Sequence, residues 1–454
     1  MRIAKLLRRE EGVAMVLVVL LTSVLALLSV TLVDIVGSES DRSAHAVWSS
    51  ASFQAAEAGL DDYLAKLVDD RAYYLHMVHA GESTRRPPAG ADVTAGSTWT
   101  YSNSWTYPNG KDTWKQLPNG YEYNLQIVSP SAGSEEVQIF ATGRKTGSTT
   151  DMRSLEARIR PSSIADFQML ANSDITYGSS ASTFGKIYAG IDANGVKHNV
   201  THYGVAHANV YAEGNVYGPP TLQDGAKTYG RSTIRTQIKN PINFQSFLAS
   251  LVDIERAAGL SSRSWNDASV DAWRVTFLSD GTFNLQRCTR VGSKHVAAVQ
   301  PTCGTATNYT VPANGAMYFA QTVIVQGQVK GRVTVASNDE LVVANDIGPV
   351  TPGTDVVGLI ASNDMIIAEW APTNLSWRAG TLAQNGQWRS WSGSGSHNGT
   401  MTFTGSTATN KGGYMSMFTT RVYNYDDTLL YLPPPWFPSI DDAYTVDFFR
   451  EIKP

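Results

Sequence analysis

From Gly12 to Val33 the chain runs without a single charged residue, and Leu and Val dominate it. As a helix rising about 1.5 Å per residue, this run is about 33 Å long, enough for a bilayer core of about 30 Å. Arg2, Lys5, Arg8 and Arg9 precede it, and Asp34, Glu39 and Asp41 follow. That asymmetry predicts a single pass through an inner membrane, with the N-terminus in the cytoplasm and the rest exported. The run is longer than the apolar core of a signal peptide. The nearest small-residue cleavage pattern, Ala44-His45-Ala46, lies beyond an acidic stretch. Phe53, Leu60, Leu64 and Leu67 then recur at heptad-like spacing, which predicts that the helix continues as a one-sided stem to about Met77.

After an irregular stretch over 81–120, with Trp99, Trp105 and Trp114 interleaved, the pattern switches to strands. Tyr121–Val128, Glu136–Thr142 and Ser154–Ile159 alternate or are β-branched, and each is bounded by Gly, Ser or Pro. They predict an antiparallel meander on the apolar face of the stem.

From Ile164 onward short apolar pieces are interrupted by Asn, Asp and Gly. Val335-Ala336-Ser337-Asn338-Asp339 before Leu341–Ala344 nearly repeats as Ile360-Ala361-Ser362-Asn363-Asp364 before Met365–Ala368. A looser echo is Leu170–Ile175. Asn and Asp tolerate tight corners, so spaced corners between short strands predict the successive coils of a β-solenoid, with Asn338 stacked on Asn363. Gly185–Gly195, Asn209–Gly218 and Val323–Val335 read the same way. Within this region Asn243–Gly259 has helical spacing, and 240–315 reads as an excursion from the coils. Pro433–Pro435 forces extended backbone, and Trp436 and Phe437 beside it are expected to seal the last apolar edge.

The N-terminal pattern resembles a type IV pilin or pseudopilin of the minor-pilin class, with a PilX-type N-terminus. The residues that carry the likeness are the basic leader, Glu11-Gly12 followed by Val13, and the later FQAAEAGL segment, Phe53 to Leu60. The resemblance implies cleavage by a prepilin peptidase between Gly12 and Val13, and filament packing through Leu17, Phe53, Glu57 and Leu60. One departure stands out. Pilins carry glutamate at the fifth mature position, and here it is Leu17. A leucine cannot neutralise a neighbour's N-terminal amine in an apolar filament core, which suits a tip or initiating subunit.

The expected class is therefore α+β. A leader over 1–12 precedes a pilin-like helix and antiparallel sheet over 13–161, and a β-solenoid ectodomain occupies 162–454. Charged residues make up only 17% of the chain, as suits an exported surface. The net charge of −4 is the wrong sign for strong non-specific binding of nucleic acid. The two cysteines, Cys288 and Cys303, fall in the exported part, where a disulfide is favoured over free thiols.

Catalytic signatures are absent: there is no H-E-x-x-H, P-loop, G-x-S-x-G or C-x-x-C. His198, His202 and His207 cluster in a Gly- and Asn-rich stretch and read as solvated loop residues rather than metal ligands. Asp339, Asp346 and Asp364 read as turn formers rather than calcium ligands. No metal or cofactor is expected. The function expected is that of a minor pilin at the tip of a filament, with an ectodomain for adhesion or ligand binding and no enzymatic activity. Its expected partners are other pilins, prepilin peptidase, the inner membrane and a surface glycan, with DNA disfavoured by charge. The alternative is a membrane-anchored β-helical glycan hydrolase or lyase, which needs paired carboxylates in a cleft.

Overall fold

The computed structural model describes residues 47–67, 104–107, 114–128 and 136–452, apart from 219, 239, 393–396 and 431. The chain forms two compact units, one built from Met1–Val128, Gln138–Ala157 and Phe448–Pro454, the other from Ser129–Val137 and Arg158–Asp447.

In the first unit a helix over 47–67, α1, buries Ser52, Ala55, Ala56, Leu60, Tyr63 and Leu67. Those positions fall on one stripe at the 3.6-residue period. Gln54 and Asp61 are exposed on the other side. The accompanying sheet contains β1 Ser104–Tyr107, β2 Lys115–Gln116, β3 Tyr121–Val128, β4 Val137–Lys145 and β5 Arg153–Ser163. Its order is β1, β3, β4, β5 and then the final strand of the chain, Ser439–Ile452, with β2 also on β3. β3 and β4 are antiparallel, with Tyr121 opposite Lys145 and Val128 opposite Gln138. Tyr123, Leu125 and Ile127 alternate inward on β3, and Ile139 and Ala141 on β4.

Two glycines set how closely helix and sheet approach. A Cβ on Gly143 of β4 would lie 2.1 Å from the Ser52 carbonyl oxygen and 2.5 Å from the Ala56 nitrogen. A Cβ on Gly59 of α1 would lie 2.6 Å from the Tyr123 ring. Asp62 ties the two layers by accepting hydrogen bonds from Tyr123 Oη at 2.8 Å and Lys115 Nζ at 3.0 Å.

The second unit is almost entirely strand. Between 167 and 229 the strands stack in three parallel ladders. One takes Ile175–Tyr177, Val200–His202 and Val216–Tyr217; the second takes Ser182–Thr183, Val205–Ala206 and Thr221–Leu222. The third runs Phe167–Ala171, Lys186–Ala189, Val210–Ala212, Thr228–Tyr229. Between 316 and 424 alternate strands pair in parallel. Arg332–Ser337 pairs with Val356–Ala361, which pairs with Leu375–Ala383, which pairs with His397–Thr409. A continuous apolar core fills the interior, with Val325, Val343, Ile366, Leu359 and Trp377 all fully or nearly fully buried.

Several expectations are corrected. The α+β class with a long stem helix does not hold: the described residues are mostly strand, arranged in several sheets, with α-helix described only at 47–67 and Leu248–Leu260 (α2). The expected β-solenoid gives way to a multi-sheet arrangement. It includes antiparallel pairing of Ala272–Phe277 with Thr282–Thr289, alongside the parallel ladders. No described helix is long and apolar enough to cross a membrane. α1 itself carries Glu57, Asp61, Asp62 and Lys66, groups whose charge is costly in hydrocarbon. The single-pass inner-membrane localisation expected from sequence is therefore not upheld. The apolar run Gly12–Val33 and the stem beyond Leu67 lie outside the described residues.

The corner expectation also shifts. The ladder pairs Leu341 with Met365 and Ser337 with Ala361, a step of 24 residues, whereas Asn338 and Asn363 are 25 apart. Glu340, which has no counterpart between Asp364 and Met365, accounts for the difference. Asn363 consequently donates its side-chain amide to Asp339 Oδ1 at 3.0 Å instead of stacking on Asn338.

The proline segment differs from expectation too. It lies over the face of the ladders at a row of glycines. Cβ atoms at Gly358 and Gly380 would fall 2.7 and 3.1 Å from Pro434, and one at Gly315 would fall 2.5 Å from Pro435. Trp436 donates its indole N–H to the Asn314 carbonyl at 2.6 Å, and Thr334 hydrogen-bonds the Pro435 carbonyl.

Candidate functional site

The longest described strand of the ladders has Leu375–Ala383 along one edge and is shared between two partners along the other. The first part of His397–Thr409 pairs with Phe418–Asn424, from His397 opposite Phe418 to Thr404 opposite Asn424. Its last part pairs instead with Phe167–Ala171, with Thr407 opposite Met169. The ladder forks between them at Gly405, which has φ of 152°. A Cβ there would sit 1.9 Å from the Ala379 carbonyl oxygen, so only glycine lets the strand pass.

The fork leaves a cavity of about 180 Å³ between the diverging strands. Trp388, Phe403, Tyr177, Tyr414 and Tyr423 supply its aromatic lining. Trp388 and Phe403 meet edge to face with centroids 5.1 Å apart, and Trp388 and Tyr423 are tilted at 6.0 Å. Behind them Trp377 stacks on Trp388 at 5.5 Å. Burial pushes the Tyr423 phenol up to about 12 and raises that of Tyr177 as well, so both stay protonated near neutrality.

Two lining residues carry a buried polar atom without a protein partner. Gln168, only 5% exposed, accepts the Phe184 and Gly185 N–H groups on its Oε1 at 2.9 and 3.0 Å, while its Nε2 has no protein partner. Trp388, also 5% exposed, has no partner for its indole N–H. Both atoms are sealed from solvent, as are the unpartnered polar atoms of Trp377 and Gln384 elsewhere in the core. Among the lining residues Asp174 alone carries a carboxylate, and no lysine or arginine lines the cavity. Asp174 Oδ1 accepts the Asn199 backbone N–H at 2.8 Å and faces His198 Nδ1 at 3.2 Å. The Asn199 amide and the His198 ring hold the Asp174 carboxyl below its usual range, against a desolvation that raises it. The pair of carboxylates needed for glycoside hydrolysis is not among these lining residues.

The three histidines are not brought together. His202 is fully buried rather than solvated. The Gly204 N–H donates to its Nδ1 at 3.1 Å, which leaves the proton on Nε2, 3.0 Å from Thr183 Oγ1. His198 faces Asp174 and Asp192, and His207 lies 2.7 Å from Asp224 and stacks on Phe184. No group of three metal-ligating side chains occurs among the described residues. The aspartates proposed as turn formers tie corners. Asp339 accepts the Thr322 hydroxyl, Asp346 the Ser376 N–H, and Asp364 the Gln387 N–H together with Arg389.

Cys288 and Cys303 form a disulfide and face each other in the antiparallel ladder. Of the residues expected to pack in a filament, Leu60 is buried and Phe53 and Glu57 are half-buried on α1. Arg153 lies 5.9 Å from the Phe53 ring. Gly12, Val13 and Leu17 lie outside the described residues.

Over 89% of this chain and 97% of the other, the protein is similar to the competence-associated pilin ComZ from Thermus thermophilus, at 12% identity and a TM-score of 0.29. At that score the likeness carries no argument about the fold or role of this chain. No family model matches the chain, and no curated protein matches it.

Proposed function

We propose that the protein is a low-copy subunit of a type IV pilus-like filament, assembling with other pilins and binding a ligand through its β-rich part without catalysing a reaction. The observation that carries this reading is α1. It lies on an antiparallel sheet through Gly59 and Gly143 and follows a leader and apolar run whose Glu11-Gly12-Val13 junction fits prepilin processing. Leu17 in place of the fifth-position glutamate supports a tip or initiating place, since a first subunit meets no amine to neutralise. The aromatic cavity supports adhesion.

Immunogold labelling of filaments tests the assignment. Gold at one filament end, in few copies, is expected, with mass spectrometry showing a chain that begins at Val13. Gold spread evenly along the shaft removes the tip assignment, and a chain that keeps Met1 to Gly12 removes the filament reading altogether.

A further inference from the structure

We propose that the cavity at the ladder fork binds one ring of a neutral saccharide. This rests on the ligand-binding half of the reading above and is independent of filament assembly. The size comes first. About 180 Å³ is smaller than the clefts of about 300–1,000 Å³ that enclose drug-sized ligands, so it admits a single ring and excludes a stretch of polymer.

Charge then narrows the chemistry. With no lysine or arginine in the lining and one carboxylate at Asp174, a phosphate or carboxylate ligand would enter against a like charge with no cation to neutralise it. An uncharged ligand meets no such penalty. Trp388 and Phe403 form a buried floor, and the aromatic surface open to a ligand comes from Tyr177 and Tyr423, which are half-buried, and Tyr414, which is exposed. Their electron-rich faces attract the slightly positive C–H groups on the flat side of a pyranose. Polar side chains of the lining complete the match. Ser173, Thr176, Asn424 and Asp174 line the same cavity and can exchange hydrogen bonds with sugar hydroxyls, which a purely apolar ring could not do.

Saturation-transfer NMR on the full chain tests this with four methyl glycosides: glucoside, galactoside, mannoside and N-acetylglucosaminide. At least one should bind saturably. Tyr414→Ala changes a side chain that is 45% exposed, so the fold should tolerate it, and should weaken binding several-fold. Inorganic phosphate should not compete. Silence from all four glycosides up to about 50 mM, a range that covers weak monosaccharide affinity, overturns the proposal. So does binding that is indifferent to Tyr414→Ala, or a sugar displaced by phosphate. None of these outcomes bears on the gold-labelling pattern, so the two readings fail separately.

Discussion

A single methyl group decides the packing of α1 on its sheet. At Gly143 an added Cβ would meet backbone atoms of Ser52 and Ala56, which cannot rotate away. At Gly59 the obstacle is the Tyr123 side chain rather than backbone, a buried ring tied to Asp62 that must give by a few tenths of an ångström. Gly143→Ala is therefore expected to cost about 1–3 kcal/mol as overpacking, and Gly59→Ala less; urea denaturation of the two variants orders them. His202 gives the residue scale a pH dependence. Burial lowers its pKa from the ordinary 6.5, so above that value the ring is neutral folded and unfolded and its contribution is complete. As pH falls below about 6.5 the unfolded chain takes up a proton that the buried ring refuses, and stability drops. Unfolding free energy measured from pH 7 to 5 should fall more steeply for the wild type than for His202→Gln; parallel curves would show that the buried ring is not responsible. Little of this was legible in the sequence. His202 sits among glycines and asparagines exactly as a loop histidine would, and only the ladder register buries it. The cavity residues were equally hidden, because Gln168, Trp388, Phe403 and Tyr423 are brought together by a forked strand pairing that no short-range spacing encodes.

Elements were read better than sites. β3 was anticipated residue for residue, β4 and β5 to within a few residues, and α2 with its preceding turn closely matches the helical spacing over Asn243–Gly259. Those patterns are local, since each depends only on alternation or a 3.6-residue period. The errors arose where pairing is long-range. Ser104–Tyr107 was read as irregular yet forms β1 against β3, and Trp114, placed in the same irregular stretch, carries the Arg144 guanidinium 3.6 Å from its ring centroid. Two expectations belong at this scale. Replacing both Cys288 and Cys303 by Ser should lower stability by about 3 kcal/mol, as the chain-entropy account gives for a loop of 15 residues; equal denaturation midpoints would show that the antiparallel ladder alone closes the loop. The proline segment depends on its row of glycines in the same way. Gly358→Ala places a methyl group 2.7 Å from Pro434 and 2.5 Å from Thr334 Oγ1, and should lift the segment. Limited proteolysis should then cut near Pro433–Phe437 in the variant and not in the wild type.

At the scale of the whole chain, connectivity sets how stability is divided. The first unit is assembled from pieces distant in sequence: β3, β4 and the first part of β5, then the last few residues after an excursion of nearly three hundred. The final strand completes the sheet beside β5. Two ion pairs fasten it there, Arg153 with Glu451 and Arg450 with Glu156, the latter with Nε 2.7 Å from Oε2. Glu156 is almost fully buried, and a buried carboxylate that loses its cation is penalised far more than an exposed one. The second unit owes its ladders and its apolar core to residues between 158 and 447. Removing Phe448–Pro454 is therefore expected to loosen one unit and spare the other. Hydrogen exchange on the truncated chain should show lost protection across 121–128 and 138–157, with the strands between 316 and 424 protected as before. Equal loss in both regions would mean that the chain unfolds as a single cooperative block, and that the last strand is a closure for the whole protein rather than for the sheet it joins.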